Sequence, residues 1–359
     1  MRGQKLALLF AALPLAAQTT APGRYIGAEA CRICHAAQFA SQSATGHARA
    51  LSTVVNHALA KSFATGPIAR RGKYQFQFRW DGEQLRVRAT DSVDVADIPV
   101  EWAFGAGAQA VTFVTRIDAE WYLEHSLSYY TGVRAMAVTP GQDQLQADTL
   151  KLAMGLPYKT TDPKIGVIGC FECHSTGGVT NSSKSGLLPS ELGVRCEVCH
   201  GPGSLHRDAA VAGDRETARR LIQNPRRMSA SELNGFCGGC HRPPASVGES
   251  INWNEAWNVR HQPLYLDQSA CFRKSSGMLS CLTCHQPHQP LEREAAAYNR
   301  KCASCHNADS RPPEATCLAV TPADCVSCHM PKVSPAANLR FTNHWIGVYG
   351  DGAKLKPKR

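Results

Sequence analysis

Seven copies of one five-residue pattern, C-x-x-C-H, hold most of the reactive side chains of this chain. Six fall in one half: Cys170/Cys173/His174, Cys196/Cys199/His200, Cys237/Cys240/His241, Cys281/Cys284/His285, Cys302/Cys305/His306 and Cys325/Cys328/His329. The seventh, Cys31/Cys34/His35, stands alone near the amino terminus. Thiols three residues apart share one face of a helical turn. Two such thiols can each form a thioether to a porphyrin vinyl group, while the histidine that follows reaches under the ring as the proximal ligand of the iron. The pattern is the attachment signature of c-type haem, and it predicts seven covalently attached haem c groups.

Chance does not account for this. With 16 Cys and 14 His in 359 residues, random placement yields roughly 0.03 copies. Zinc ribbons use paired C-x-x-C units but need no histidine after each one, and disulfide frameworks need none at all. Cys271 and Cys317 lie outside every motif, and in an oxidising compartment they are expected to form a disulfide.

The motif histidines are half of the fourteen. The others are His47, His57, His125, His206, His261, His288 and His344, one spare imidazole for each expected iron. His288 follows His285 by three residues, points to nearly the same side of the chain and cannot reach the far face of the same ring. It is expected to serve a different haem, and the same holds more weakly for His206 after His200. Any iron left without a second histidine would have an open position or one filled by Met136, Met154, Met228 or Met278, although core packing is the commoner role for methionine.

The elements that must position these groups are short. The segment after Cys170 has too little chain per motif to wrap each ring in its own protein core, so the macrocycles themselves must supply much of the buried apolar surface. The expected fold is therefore mainly α and irregular, with short helices around stacked haems. A small β-rich insertion occupies residues 68–148, between an N-terminal haem segment (18–67) and a six-haem region (149–359). Helical spacing runs from Cys31 to Lys61, ending at Gly66-Pro67. From Lys73 the period changes: Tyr74, Phe76, Phe78 and Trp80 alternate with polar residues, turn at Asp81-Gly82 and alternate again through Leu85 and Val87, a hairpin signature. Further strands are expected at 110–117 and 120–129, helices at 143–154 and 208–223, and a frayed basic end at KLKPKR.

Residues 1–17 read as an export signal: Arg2 and Lys5, an apolar run from Leu6 to Leu15, then Ala16 and Ala17. The run is shorter than the roughly 18 apolar residues that span a bilayer, and no later stretch is longer. The chain is thus expected to be exported, to the periplasm or beyond, without a membrane span. The formal charge of +10 would ordinarily point to an anionic partner. Here, after loss of Arg2 and Lys5, two propionates on each of seven haems bring the net to about −6, so the basic excess reads as charge matching to propionates. No nucleic-acid motif is present.

Four stretches resemble the multihaem c-type cytochromes of the cytochrome c-554 type and related multihaem proteins. YIGAEACRICHAAQFASQSATGHARAL (25–51) is similar to that family's opening, in which Gly-His-Ala supplies a distal ligand, here His47. GVRCEVCHGPGSLH (193–206) resembles its C-x-x-C-H-G-P-G segment and implies His206; SCLTCHQPH (280–288) implies His288; CVSCHMPK followed by FTNHWIGV implies His344. This chain has more motifs than that cytochrome, so ligand pairing does not transfer as a whole.

The resemblance implies electron transfer to and from redox partner proteins, with bis-histidine ligation leaving no site for substrate. Two other readings stand beside it. One is a multihaem oxidoreductase in which an open haem acts on a small nitrogen or sulfur compound, with His125, Tyr129 and Tyr130 as pocket residues. The other is a structural subunit of a haem filament, or of an outer-membrane conduit through association with a membrane electron-transfer complex. The sequence leaves donor, acceptor and oligomeric state open.

Overall fold

Alternating aromatic residues set the first half of the chain. In the computed structural model, which describes residues 22–160, 166–182, 184–306 and 324–358, the expected hairpin forms. Strand Tyr74–Asp81 pairs antiparallel with Gln84–Thr90, Asp81 opposite Gln84, around Gly82 at φ 58°. Ala69–Arg71 and Val95–Val100 extend this pair to a four-stranded antiparallel sheet. Its inner face buries Tyr74, Phe76, Leu85, Val87 and Ala89, and these pack with Phe63 and Phe113 into one cluster.

A second, seven-stranded antiparallel sheet lies alongside. Its main path runs Leu51–Thr53, Trp102–Phe104, Ala110–Arg116, Trp121–His125 and Gly155–Lys159. Leu127–Tyr130 also pairs with Ala110–Arg116, and Ala135–Val138 pairs with Leu127–Tyr130. The expected strand at 120–129 is therefore two strands with different partners. They break at Ser126, whose N–H and hydroxyl both turn to the end of the Leu150–Met154 helix.

The expectation of a mainly α and irregular fold with only a small β-rich insertion is overturned. The described residues contain fifteen strands in four antiparallel sheets, and the strands are not confined to 68–148. The large sheet recruits Leu51–Thr53 before that stretch and Gly155–Lys159 after it. The hairpin Ser175–Ser182/Gly186–Leu192 follows directly on a motif helix, and Lys332–Val333/Phe341–Thr342 forms a fourth sheet. The physical reasons are local. In Leu51-Ser-Thr-Val-Val the apolar spacing is helical, but three consecutive β-branched residues disfavour a helix and suit a pleated surface. Glycines at 177, 178 and 186 hide a strand pair in a stretch that reads as loop. The helix expected at 143–154 forms only from Leu150, capped by Thr149, while that expected at 208–223 is divided between Ser204–Val211 and Arg215–Arg220.

The large sheet is the seat for the Cys170/Cys173 motif. Phe171, fully buried within the Val167–His174 helix, meets Trp102, Phe104 and Tyr122 edge-on at ring-centre distances of 5.3, 5.0 and 6.4 Å. Val167, Leu51, Val114 and Leu187 complete that cluster. A third core near the carboxyl end gathers Val259, Leu264, Tyr265 and Val333, with Trp253 and Trp345 against them. The basic tail is not frayed up to residue 358: the Asn343 side-chain amide donates to the Lys354 and Leu355 carbonyls, and Lys358 N–H donates to Val348 O. No helix among the described residues is long and apolar enough to cross a membrane. Residues 1–17 and Cys317 lie outside the described residues; Cys271 is half-buried.

Candidate functional site

Each motif closes on itself as about one helical turn. His35, His285 and His306 each donate a backbone N–H to the carbonyl of the first cysteine of their motif, at 2.9 Å in all three. Sequence-local caps start several of these turns: Ser229 and Glu232 form a reciprocal cap before Cys237, Ser280 and Thr283 another at Cys281, and Asp324 caps Cys325. Both thiols of a motif thus face one side, with the histidine a turn further on.

Packing then brings different motifs together. The helix carrying Cys31 (Ala28–Arg32) packs on that of Cys196 (Cys196–His200), and the Cys237/Cys240 helix (Ala230–His241) on Cys281–Cys284. The latter packs on Ala295–Ala303, which carries Cys302, and this in turn on Cys325–His329. Thiols meet across these junctions: Cys31 with Cys196, Cys237 with Cys281, Cys302 with Cys325, and in addition Cys173 with Cys240. A buried carboxylate fixes the first junction. Glu197, 2% exposed, lies inside its own motif and accepts the backbone N–H groups of Ile26, Gly27 and Gly203 at 2.7–3.1 Å. Gly193, at φ 78°, lets the approach to Cys196 run against Ala48 so closely that a side chain there would collide with the Ala48 carbonyl.

In five of the seven motifs the two thiols differ in exposure. Cys34, Cys305 and Cys328 are exposed, as are Cys170 and Cys240, whereas the other motif cysteines are half-buried. Cys31, Cys302 and Cys325 open their turns and meet a neighbouring motif, and so does the exposed Cys240.

The histidines pair. Ring centres are 6.2 Å apart for His35/His206, 6.0 Å for His47/His241, 5.9 Å for His200/His288 and 6.2 Å for His285/His344. Two imidazoles sharing one metal, each with a nitrogen about 2.0 Å from it and a ring centre about 1.1 Å further out, would sit roughly 6.2 Å apart. All four pairs meet that spacing, so these residues fit a metal held from both faces. His288 pairs with His200 and not with its neighbour His285; His206 pairs with His35 and not with His200.

Hydrogen bonding fixes which nitrogen is available. Nδ1 of His174, His200, His206, His329 and His344 lies 2.8–3.0 Å from the carbonyls of Ala50, Gln223, Ala218, Gly347 and Thr342 respectively. A carbonyl only accepts, so Nδ1 carries the proton and Nε2 is left bare for a metal. Burial favours the neutral ring that such ligation requires. It lowers His47, His174, His241, His285 and His288 below the ordinary histidine value, and takes His344 to about 4.

The remaining three spare histidines differ among themselves. His57 has Nε2 on Gly105 O and Nδ1 accepting from Leu59 N–H, so both nitrogens are engaged by backbone. His125 is fully buried in the large sheet with Nε2 2.7 Å from the Thr115 hydroxyl. His261 keeps Nδ1 buried without a hydrogen-bond partner among the described residues, and burial first, then Arg260 and Arg242, lowers it to about 4. Among the described residues His174, His306 and His329 have no imidazole opposite them; the ring nearest His174 is Phe104, 5.3 Å away. Met154 is buried in the core and Met136 packs on it, while Met278 is exposed. Tyr129 and Tyr130 are buried core residues.

The sequence did not reveal the carbonyl anchors or Glu197. Main-chain carbonyls carry no residue signature, and a glutamate between two motif cysteines looks like any solvent-facing filler.

These features are those of the multihaem c-type cytochromes, and the chain is similar to them. Residues 144–201 match the family described as cytochrome c554 and c-prime, a span that includes the Cys170 and Cys196 motifs. Over the whole backbone the chain is similar to the crystal structure of the outer cell wall cytochrome OcwA, with a TM-score of 0.50 and 16% identity, covering 90% of this chain and 79% of that one. That likeness is one of fold. No curated protein matches the chain.

Proposed function

We propose that this chain is an exported multihaem electron-transfer protein whose seven C-x-x-C-H motifs each hold one covalent haem c, four of them closed by histidine on both faces. The observation that carries this reading is the set of four imidazole pairs at 5.9–6.2 Å, drawn from residues far apart in sequence. When bound, haem iron supplies reversible one-electron chemistry at a potential set by axial ligands, nearby charge and burial.

The protein's own part is to hold and to exclude. His35, His200, His241 and His285 serve as proximal ligands, and His206, His288, His47 and His344 as their respective partners. Five backbone carbonyls hold ligand rings in the metal-binding tautomer. Two imidazoles on one iron would leave no position for water or substrate, which suits one-electron transfer without bond making. The thiol contacts give an order of neighbours in which the Cys237/Cys240 motif touches both the Cys173 and the Cys281 sides. His57 and His125 drop out as ligands in this reading, and His261, with its unpartnered nitrogen, remains a ligand candidate. Export is supported by the leader-like residues 1–17 and by the name of the structural neighbour, an outer cell wall cytochrome.

Weighing the holoprotein intact, from a host able to mature such proteins, tests the cofactor: seven haems are expected, and bare polypeptide or bound zinc refutes the reading. A second reading, an oxidoreductase with an open haem, is favoured by one observation, the absence of an imidazole opposite His174, His306 and His329 among the described residues. Carbon monoxide binding to the reduced wild-type protein counts the irons with a vacant face: at most three are expected if the four pairs hold, and more than three refutes the pairing.

A further inference from the structure

The carboxyl-terminal tail builds a cleft that the ligand scheme does not use. Lys332–Val333, Ser334 and Arg340 line one side, Asn254 and Ala256 a second, and Gly352–Lys356 the third, around an open cleft of about 600 Å³. Four cations line it, Lys332, Arg340, Lys354 and Lys356, and no acidic side chain does. None of the four is in an ion pair among the described residues. The nearest acids along the chain, Glu255 and Asp351, are outside the lining, and Glu255 is occupied in capping Trp257 N–H.

The tail wall is built, not loose. Asn343, fully buried, holds the Lys354 and Leu355 carbonyls at 2.8 and 3.1 Å, and Leu355 packs on the cluster of Val333 and Tyr265. Four like charges gathered along one cleft repel one another, and with no acidic side chain in its lining the arrangement favours an added anion. The volume falls in the range of small-molecule sites, about 300–1,000 Å³, and is too small for a folded partner.

We infer that this cleft binds a small multivalent oxyanion, of the phosphate or sulfonate class, through Lys332, Arg340, Lys354 and Lys356. Its position ties it to the ligand set. Lys332 follows His329 by three residues, and Thr342, paired with Lys332, accepts the Nδ1 proton of His344. The inference does not depend on the haem assignment, because binding is measured directly.

The test is calorimetric titration of the holoprotein with inorganic pyrophosphate, and in a separate arm with naphthalene-1,5-disulfonate, in chloride buffer. One equivalent is expected to bind, and the stronger arm tells phosphate from sulfonate. The double variant Lys332→Gln/Lys354→Gln is expected to weaken binding by about tenfold per charge removed, with the haem spectrum unchanged. Arg70→Gln/Arg88→Gln, on the exposed face of the four-stranded sheet, is expected to leave affinity unaltered. No binding in either arm overturns the inference, as does equal loss in both double variants, which marks diffuse charge attraction. Should the Lys332/Lys354 variant shift the haem spectrum with no anion added, the cations serve the chain's own haem propionates and the inference also fails.

Discussion

Replacing His288 by alanine is the sharpest perturbation of the ligand scheme. His288 stands three residues after His285, yet its ring lies 5.9 Å from that of His200, at an interplanar angle of 20°. His285 instead meets His344 at 6.2 Å. A shared metal places ring centres roughly 6.2 Å apart, so removal of His288 should open the iron of the Cys196/Cys199 motif and leave that of Cys281/Cys284 closed. With one haem on each of the seven motifs, as proposed, the magnitude is one iron in seven: reduced His288→Ala should bind one equivalent of carbon monoxide more than wild type, and the oxidised protein should gain a high-spin signal of the same stoichiometry. Added imidazole should reverse both. To locate the opened site, the variant is combined with Cys196→Ala/Cys199→Ala, which should abolish the extra equivalent, and separately with Cys281→Ala/Cys284→Ala, which should preserve it. The opposite outcome, loss only when the Cys281 motif is removed, would refute the pairing and the geometric argument beneath it.

Three further outcomes follow from the same geometry. Glu197→Ala leaves the N–H groups of Ile26, Gly27 and Gly203 without their buried acceptor and should cost about 3 kcal/mol or more in denaturant unfolding; a change within error would show that the junction of the Cys31 and Cys196 motifs holds without it. Phe171→Ala empties the centre of a four-ring cluster and should cost about 3–5 kcal/mol, with increased hydrogen exchange in Trp102–Phe104; unaltered exchange would count against the sheet as the seat of that motif. His125 is held neutral by burial, with its value pushed from 6.5 down to about 3. The unfolded chain therefore binds the proton first: the contribution is complete above pH 6.5 and is lost as pH falls toward 3, by about 1.4 kcal/mol per pH unit. His125→Gln should flatten that acid branch, read from exchange in Trp121–His125, and an unchanged slope would sink the assignment.

How far the chain could be read in advance follows from where each feature's information lies. The motif chemistry is held in five consecutive residues and is legible without a structure, as is the hairpin of Tyr74–Thr90, whose two-residue period and Asp-Gly turn are local. Which of its thiols stand exposed, Cys34, Cys170, Cys240, Cys305 and Cys328, is not. His288 could be denied to its own motif's iron from spacing alone, but its match with His200 depends on how the Cys196 and Cys281 segments pack. The same is true of His47 with His241. His57 and His125 looked equivalent to the other spare histidines because the neighbours that occupy their nitrogens, Gly105, Leu59 and Thr115, are found only by folding. The strand at Leu51–Thr53 was masked by helical apolar spacing, and the one at Ser175–Ser182 by glycine and serine.

The proposed pairings also set an order of completion along the chain. His206 closes the iron of the first motif, His288 that of Cys196, and His344 that of Cys281, so in three of the four pairs the second ligand emerges after the first. A nascent chain halted before residue 206 would present its earliest metal half-bound, and one halted before 344 would never finish its fifth. Under that reading maturation and folding would be interlocked: in three of the four pairs a later stretch of chain seals an earlier centre against adventitious ligands.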